Sequence, residues 1–554
     1  MSAPPGGARR TARGAQETRG ARGTSGTRGA PAAPGTLRRL TAAAVAAVSA
    51  LVLAACGAGG APGDGPQDGP DVLRVLAGSE VADLEPLLGQ SGVKVRLTYA
   101  GTLDGAEQVA SGGADGRYDA VWFSSNRYLS LIDGARARLS TETPTMVSPV
   151  LLGLRTAKAA ELGWADGRAT WEEIATAARD GRFTFGMTNP ASSNSGFSAL
   201  VGVAAGLSGA DGALTAEQVA VVTPRLKEFF AAQKLTSGSS GWLAEAYARD
   251  GGVDGIVNYE SVLLGMEGLT LVRPSDGVVT ADYPLTLLAS APAEKKELYG
   301  RLAAWLRTPD TQRKIMTDTH RRPAVPGVRP GPEFGTEPLL ELPFPNRRGT
   351  ADGLITAYLD ELRAPAHALF VLDTSGSMRG ERIDALRKAL VTLTGADRSA
   401  SGTFSRFRSR ETVTMIPFSG SVGETRSFTL PENAPQQVLA DIRRYAEGLQ
   451  ASGGTAIYDG LRAAYPESLR TDPGHFTSIV LMTDGRNTDG ASFEDFASLY
   501  RMIPQGRRAR TFVVLFGESD AEEMTRVATL TGGAVFDARD GSLAEAFKEI
   551  RGYQ

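Results

Sequence analysis

Five oxygen-bearing side chains in the C-terminal third of the sequence carry a spacing that chemistry can use. They are Asp373, Ser375 and Ser377 in the run Asp-Thr-Ser-Gly-Ser-Met, Thr455 after Gly453-Gly454, and Asp484 between Thr483 and Gly485. Carboxylates and hydroxyls are hard donors, suited to Mg²⁺, Mn²⁺ or Ca²⁺ rather than to zinc or copper. Singly, each fragment is an ordinary loop, because Asp, Ser, Thr and Gly are the residues that turns favour. Their positions in the chain give them joint meaning. Asp373 follows the apolar run Leu369-Phe370-Val371-Leu372, Asp484 follows Ile479 to Met482 and Thr483, and Gly453-Gly454-Thr455 precedes a helical pattern. Ligands of an open parallel sheet bind beyond the carboxyl ends of its strands, where the strand order reverses. If the two strands are neighbours at that point, three hydroxyls and two carboxylates converge. Neutral hydroxyls satisfy a cation's geometry without cancelling its charge, so an open position remains attractive to an anion.

The elements that must position these residues are legible as a repeat. Near-continuous apolar runs at 368–372, 412–416, 478–482 and 511–516 read as strands buried on both faces. Helical patterns at 383–390, 458–464, 493–503 and 521–530 separate them, which predicts a doubly wound, Rossmann-like α/β sheet. In these residues the sequence resembles a von Willebrand factor type A (VWA) domain, whose metal-ion-dependent adhesion site is D-x-S-x-S, then Thr, then Asp. All five positions match, and the resemblance runs from about Leu354 to the C-terminus. It implies that Ser375, Ser377 and Thr455 bind Mg²⁺ (or Mn²⁺ or Ca²⁺) directly while Asp373 and Asp484 act largely through bound waters. It also implies that a partner protein's exposed Asp or Glu completes the shell. Asp459 and Asp489 read as helix-start and turn residues. His320, His367 and His475 lie in no catalytic motif, with His367 expected at a boundary or surface. Phosphate loops, Gly-x-Ser-x-Gly elbows and His-Glu-x-x-His are absent, so an enzyme is not expected.

Ahead of a Pro/Gly/Arg-rich break at 343–350, strands and helices alternate differently. β-rich runs fall at 72–77, 93–99, 118–123, 183–189 and 283–288, and a helix is predicted over 293–306. Hydroxyls recur where these strands end: Ser79, Thr102, Ser124, Ser125, and Ser192, Ser193 and Ser195. At helix N-termini, free amides and the macrodipole favour an anion. Serine is equally a common N-cap, so a structural reading stands beside the ligand-binding one. The element order resembles the extracellular solute-binding proteins of uptake systems, particularly the oxyanion-binding branch. That resemblance implies a two-lobed, periplasmic-binding-protein-like fold and a small anionic or polar solute in the cleft. Only Arg127, beyond Ser125, brings a positive charge near these loops.

A net charge of −3 over 554 residues offers no electrostatic footprint for nucleic acid, and none is expected as a partner. Arginines concentrate in a Gly/Ala/Pro-rich leader that cannot bury a core. Leu40 to Ala55, behind Arg38-Arg39, is apolar but shorter than the roughly 20 residues of a membrane span, as in a signal peptide. It ends at Cys56, the one cysteine of the chain, which excludes an intrachain disulfide framework. Here the sequence resembles a bacterial lipoprotein, and the resemblance implies lipidation of Cys56 and anchoring on the extracytoplasmic face of the cell membrane. The expected organisation is a leader with signal peptide (1–55), lipidated Cys56 with a tether (56–70), a solute-binding-like domain (71–345), a linker with a bridging helix (346–366) and a VWA domain (367–554). The expected function is a membrane-anchored binding protein that uses a metal to grip an acidic side chain. The alternative is the substrate receptor of an ABC uptake system.

Overall fold

Alternation of short apolar strands with amphipathic helices produces two lobes in the first half of the chain. The computed structural model describes residues 69–539 and 541–554; the leader, Cys56 and most of the tether lie outside the described residues. Lobe 1 holds β1 (Val72–Ala77), β2 (Lys94–Tyr99), β3 (Ala120–Trp122) and β4 (Leu139–Pro144), completed by β9 (Pro284–Leu288) from later in the chain. Their order is β2-β1-β3-β9-β4, parallel across β2-β1-β3 and antiparallel at β9. Lobe 2 is an eight-stranded sheet in which β5 (Met146–Arg155), β8 (Gly255–Tyr259), β6 (Phe185–Thr188) and β7 (Gln233–Ser237) are consecutive. The chain passes between lobes at Thr145 and again at Tyr283. The two crossings are tied together, since the Tyr283 carbonyl accepts from Trp122 Nε1 at 3.1 Å and from Thr145 Oγ1 at 2.6 Å.

Lobe 1 carries helix α1 (Thr102–Ser111), and lobe 2 carries α2 (Asn194–Ser208) with α3 (Ser240–Asp250) beside it. The sequence predicts a strand over 183–189, but only Phe185–Thr188 pairs. The Asn189 carbonyl instead accepts from Ser192 N and Ser193 N, closing the turn that opens α2.

The segment read as a linker is packed rather than loose. Its helix α4 (Arg348–Ala357) and the wider turn Tyr358–Leu362 bury Leu354, Ile355 and Tyr358 in the core of the first domain. The Tyr358 hydroxyl donates to Gln233 Oε1 at 3.0 Å, and Tyr128 donates to Asp352 at 2.8 Å.

The second domain is one six-stranded sheet: β10 (Ala366–Asp373), β11 (Thr412–Phe418), β12 (Arg426–Thr429), β13 (Phe476–Thr483), β14 (Arg510–Leu515) and β15 (Val535–Asp537). The order β12-β11-β10-β13-β14-β15 places β10 between β11 and β13, all parallel, so the strand order reverses at β10. Every residue of β10 is buried, as expected for a strand covered on both faces. One face is covered by α5 (Glu381–Val391), α7 (Gln436–Glu447) and α11 (Leu543–Arg551), with the short α6 (Ala400–Ser405) beside them; the other is covered by α8 (Ile457–Ser468), α9 (Phe493–Met502) and α10 (Ala521–Thr531). His367 is not at the surface. It lies inside β10, 6 % exposed, with Nε2 2.8 Å from Thr414 Oγ1 and Nδ1 2.5 Å from Thr471 Oγ1, and burial holds its pKa down at about 4. The two hydroxyls satisfy a neutral imidazole, which is why the sheet accepts it.

Candidate metal centre and solute cleft

The register of β10 on β13 sets Leu372 beside Met482, so the loops leaving the two strands emerge side by side. Asp373, the last residue of β10, is fully buried; its Oδ1 accepts from Ser375 N at 2.8 Å and its Oδ2 from the Thr483 hydroxyl at 2.7 Å. The first bond is an Asx turn that swings Ser375 and Ser377 to one side. Ser375 Oγ and Ser377 Oγ lie 2.9 Å apart, and Ser377 Oγ donates to Asp484 Oδ1 at 2.8 Å. Ser375 and Asp484 are 1 % exposed whereas Ser377 is exposed, so the cluster has one open side.

The third loop meets the first through its backbone. Gly376 N donates to the Gly453 carbonyl at 2.9 Å and Ser452 N to the Thr374 carbonyl at 2.8 Å. Gly453 has φ +81°, and a Cβ on Gly454 would lie 1.6 Å from Asp489 Oδ2. Only glycine meets both demands, which accounts for Gly453-Gly454 before Thr455. Thr455 N donates to Thr488 Oγ1 at 3.0 Å and to Asp489 Oδ2 at 3.1 Å, and Ile457 N donates to Asn487 Oδ1 at 2.8 Å. The segment 487–489 therefore holds the Thr455 loop. The sequence gives little notice of this role, since Asp489 reads as a turn residue; its close spacing after Thr483-Asp484-Gly485 is the available signal. Arg382, also unanticipated, donates from Nη1 to Asp484 Oδ2 at 2.8 Å.

These residues fit a hard divalent cation. The donors are all oxygen, and among the described residues no ion pair is formed by Asp373, whose carboxyl burial pushes up and whose neighbour Asp484 pushes the same way. A buried carboxylate without a positive partner is costly unless a cation compensates it. Among the described residues no group of three or more His, Cys, Asp or Glu could hold a metal, so a cation at this cluster would rest largely on hydroxyls.

In the first domain the predicted hydroxyls divide into two groups. Ser195 Oγ lies within 2.8 Å of Thr188 Oγ1, 3.0 Å of Ser193 Oγ and 2.8 Å of Ser240 Oγ, a buried network that joins β6, α2 and α3. Ser124 and Ser125 are also buried, the first with its carbonyl holding Asp282 N and Tyr283 N at the lobe crossing. Thr102 opens α1 behind Gly101 and is half-buried. Ser79 and Ser192 are the two that line a cavity of about 680 Å³ between the lobes, with Tyr99 and Asn189. The lobes come within van der Waals contact along its lining, where a Cβ on Gly101 would lie 3.8 Å from the Ser192 carbonyl. The rest of its wall is supplied by the second domain.

Comparison with known proteins agrees with this division. Residues 88–318 match the family model of a bacterial extracellular solute-binding protein, and residues 369–549 that of a von Willebrand factor type A domain. The chain thus carries a solute-binding domain followed by a VWA domain, both of a kind that typically binds rather than catalyses. Among curated relatives, inter-alpha-trypsin inhibitor heavy chain H4 of Sus scrofa is 31 % identical over 132 residues, covering 23 % of this chain and 13 % of that protein. An uncharacterized protein of a Synechocystis strain is 30 % identical over 128 residues, covering 23 % of this chain and 27 % of its own length. The chain therefore spans far less than two thirds of either relative. Among solved structures, the periplasmic binding protein AfuA from Actinobacillus pleuropneumoniae is similar at 12 % identity and a TM-score of 0.43, over 52 % of this chain and 98 % of that one. A von Willebrand factor type A protein from Catenulispora acidiphila is similar at 19 % identity and a TM-score of 0.28, over 34 % of this chain and 42 % of that one. Among the described residues no helix is long and apolar enough to cross a membrane.

Proposed function

We propose that this chain is an extracytoplasmic binding protein, anchored to the cell membrane through lipidated Cys56, that uses a divalent cation in its VWA domain to bind an acidic side chain of a partner protein. The observation that carries the reading is the oxygen cluster at the ends of β10 and β13, centred on Asp373, a buried carboxylate with no cationic partner among the described residues. Ser375, Ser377 and Thr455 would hold Mg²⁺ or Mn²⁺, with Asp373 and Asp484 anchoring the set. When bound, the cation supplies a Lewis-acidic position on the exposed side of Ser377, where a partner's Asp or Glu can bind. Asp373 and its Thr483 and Ser375 partners keep the hydroxyls oriented, and Asp484 fixes Ser377.

The test is capture of partners from solubilised membranes by the purified chain, with Mg²⁺ and with chelator, using Asp373→Ala alongside the native protein. Partners retained only with Mg²⁺ and only by the native chain support the proposal. Partners retained equally in all four conditions refute it.

A second reading, the receptor of an uptake system, is favoured by the cavity between the lobes. Its wall carries both carboxylates, among them Asp104, Glu107 and Glu549, and the cationic Arg117, Lys548 and Arg551, so the lining suits a polar solute without selecting the sign of its charge. A thermal-shift screen that includes oxyanions, sugars and amines separates these classes.

A further inference from the structure

The second domain does more than follow the first: Lys548, Glu549 and Tyr553 face the same cavity as Ser79 and Ser192. Its two seats on the first domain differ in chemistry. On lobe 2 the seat is apolar and closely packed. Trp242 of α3 meets Phe512 at 6.0 Å and the ring of Tyr553 edge-on at 5.2 Å, with the Arg510 guanidinium 5.3 Å from its own ring centre. Trp242, Leu243 and Tyr247 belong to one hydrophobic cluster with Phe370, Phe547 and Tyr553. Arg510 bridges to Asp250 at 2.7 Å, and a Cβ on Gly238 would strike the Tyr553 ring at 2.6 Å.

On lobe 1 the seat is sparse. Ala400 N donates to Glu107 Oε2 at 2.9 Å, and Phe404 of α6 reaches the first domain's core. Otherwise Asp104 of α1 lines the same cavity as Glu545 and Glu549 of α11, and its charge raises the pKa of both glutamates after the effect of burial itself. Glu549 keeps water within reach in the recess, yet its carboxyl is pushed up to about 7. The nearby cations are largely committed elsewhere: Lys548 pairs with Asp397, and Arg551 with buried Glu411. Arg117 stands near Glu545 from lobe 1. Among the described residues no ion pair joins α1 to the VWA domain.

We propose that the VWA domain is the gate of the solute cleft: it stays seated on lobe 2, and the partly open cavity widens for a solute as α1 of lobe 1 separates from α6 and α11. An apolar seat resists separation, while a like-charged one yields, so opening takes place on the lobe 1 side. Such a gate depends on the contact between domains and needs neither the metal nor an identified solute.

The test uses the full chain with Cys56→Ser, carrying Ser79→Cys as a reporter inside the cavity, and follows its labelling by a fluorescein maleimide. Exposed Thr429→Cys gives the ungated rate. Asp104→Lys or Glu549→Lys turns repulsion into attraction, and each alone should slow Ser79→Cys labelling by about fivefold, the size of one exposed charge pair. The double variant faces lysine with lysine and should return towards the parental rate, a non-additivity that merely local damage would not produce. Thermal unfolding checks that each variant is folded; if a lysine variant is not, Asp104→Asn and Glu549→Gln should each slow labelling about twofold, since a neutral residue removes repulsion without adding attraction. Labelling at the Thr429→Cys rate, no slowing in any variant, or single effects that simply multiply in the double variant would overturn the gate.

Discussion

Replacing Asp373 by Asn should move the metal-free and metal-loaded protein in opposite directions. The side chain is fully buried, and its oxygens take hydrogen bonds from Ser375 N at 2.8 Å and from the Thr483 hydroxyl at 2.7 Å. An amide of the same shape keeps the first bond through its oxygen. The Thr483 hydroxyl can rotate to accept from the new Nδ2, so the second bond survives with reversed direction. What disappears is a buried charge with no positive partner. Without metal, the variant should therefore be as stable as the native protein or gain about 1 kcal/mol, roughly 2–4 °C in a domain of this size. With Mg²⁺ at 100 times its Kd the native protein should gain about 2.7 kcal/mol, and the variant only a small part of that. Thermal unfolding followed by circular dichroism, in chelator and across a Mg²⁺ series, reads both effects. A variant that loses more than about 2 kcal/mol in chelator would make Asp373 a structural group. A variant that keeps the full Mg²⁺ shift would place the cation elsewhere.

The remaining predictions concern a support of that site, a buried histidine of β10 and Cys56. Asp489→Ala removes an acceptor from Thr455 N, and should weaken Mg²⁺ binding by roughly 10-fold while moving the unfolding midpoint little; titration calorimetry would detect it, and an unchanged affinity would mean the Thr455 loop needs no such support. His367 is held neutral, its pKa lowered from 6.5 to about 4 by burial and then by His475, so between those values the unfolded chain takes up the proton first. Its contribution is intact above pH 6.5 and falls as the pH drops towards 4, by up to about 3 kcal/mol; urea unfolding at pH 7 and pH 4.5 should show that slope, and His367→Asn should flatten it. Cys56→Ser should release the protein from membranes into the soluble fraction, and unchanged membrane retention would sink the lipid anchor.

Much of the second domain was legible because its strands are covered on both faces, so apolar runs alone locate β10, β11, β13 and β14 to within a few residues. Asp373, Ser375, Ser377 and Asp484, which meet at the ends of β10 and β13, could be read for the same reason, since a strand end is visible where an apolar run stops. The residues behind them were not. Asp489 acts by accepting a backbone N–H from a loop more than 30 positions earlier, and Arg382 by reaching Asp484 from a helix, and neither contact leaves a pattern in the local sequence. In the first domain the hydroxyls at strand ends were visible, but which of them face the cleft was not. Ser195 spends its hydroxyl on Thr188, Ser193 and Ser240, while Ser79 and Ser192 line the cavity. That choice depends on how α3 packs, a contact across 45 residues of chain. The bridging helix was expected but its packing was not, because a Pro/Gly/Arg break reads as a linker whether or not the helix beyond it buries Leu354 and Tyr358.

The way Asp484 divides its two oxygens bears on how the metal centre works. Oδ1 accepts from Ser377 at 2.8 Å on the exposed side, and Oδ2 from the Arg382 guanidinium at 2.8 Å. Arg382 is about one third exposed and Asp484 is not exposed, so the guanidinium covers one flank of the carboxylate and leaves the other to the hydroxyls. A fixed positive charge there has two effects on a cation bound beside Ser377. It orients Asp484, which favours binding, and it partly neutralises that carboxylate, which leaves the cation's own charge less cancelled. Asp373, buried deeper and without such a partner, then becomes the main source of negative charge for the set. On the proposed reading the set would hold a divalent cation mainly by geometry and by one carboxylate without a cationic partner among the described residues, the electrostatic condition under which an open position would bind an acidic side chain from outside most strongly.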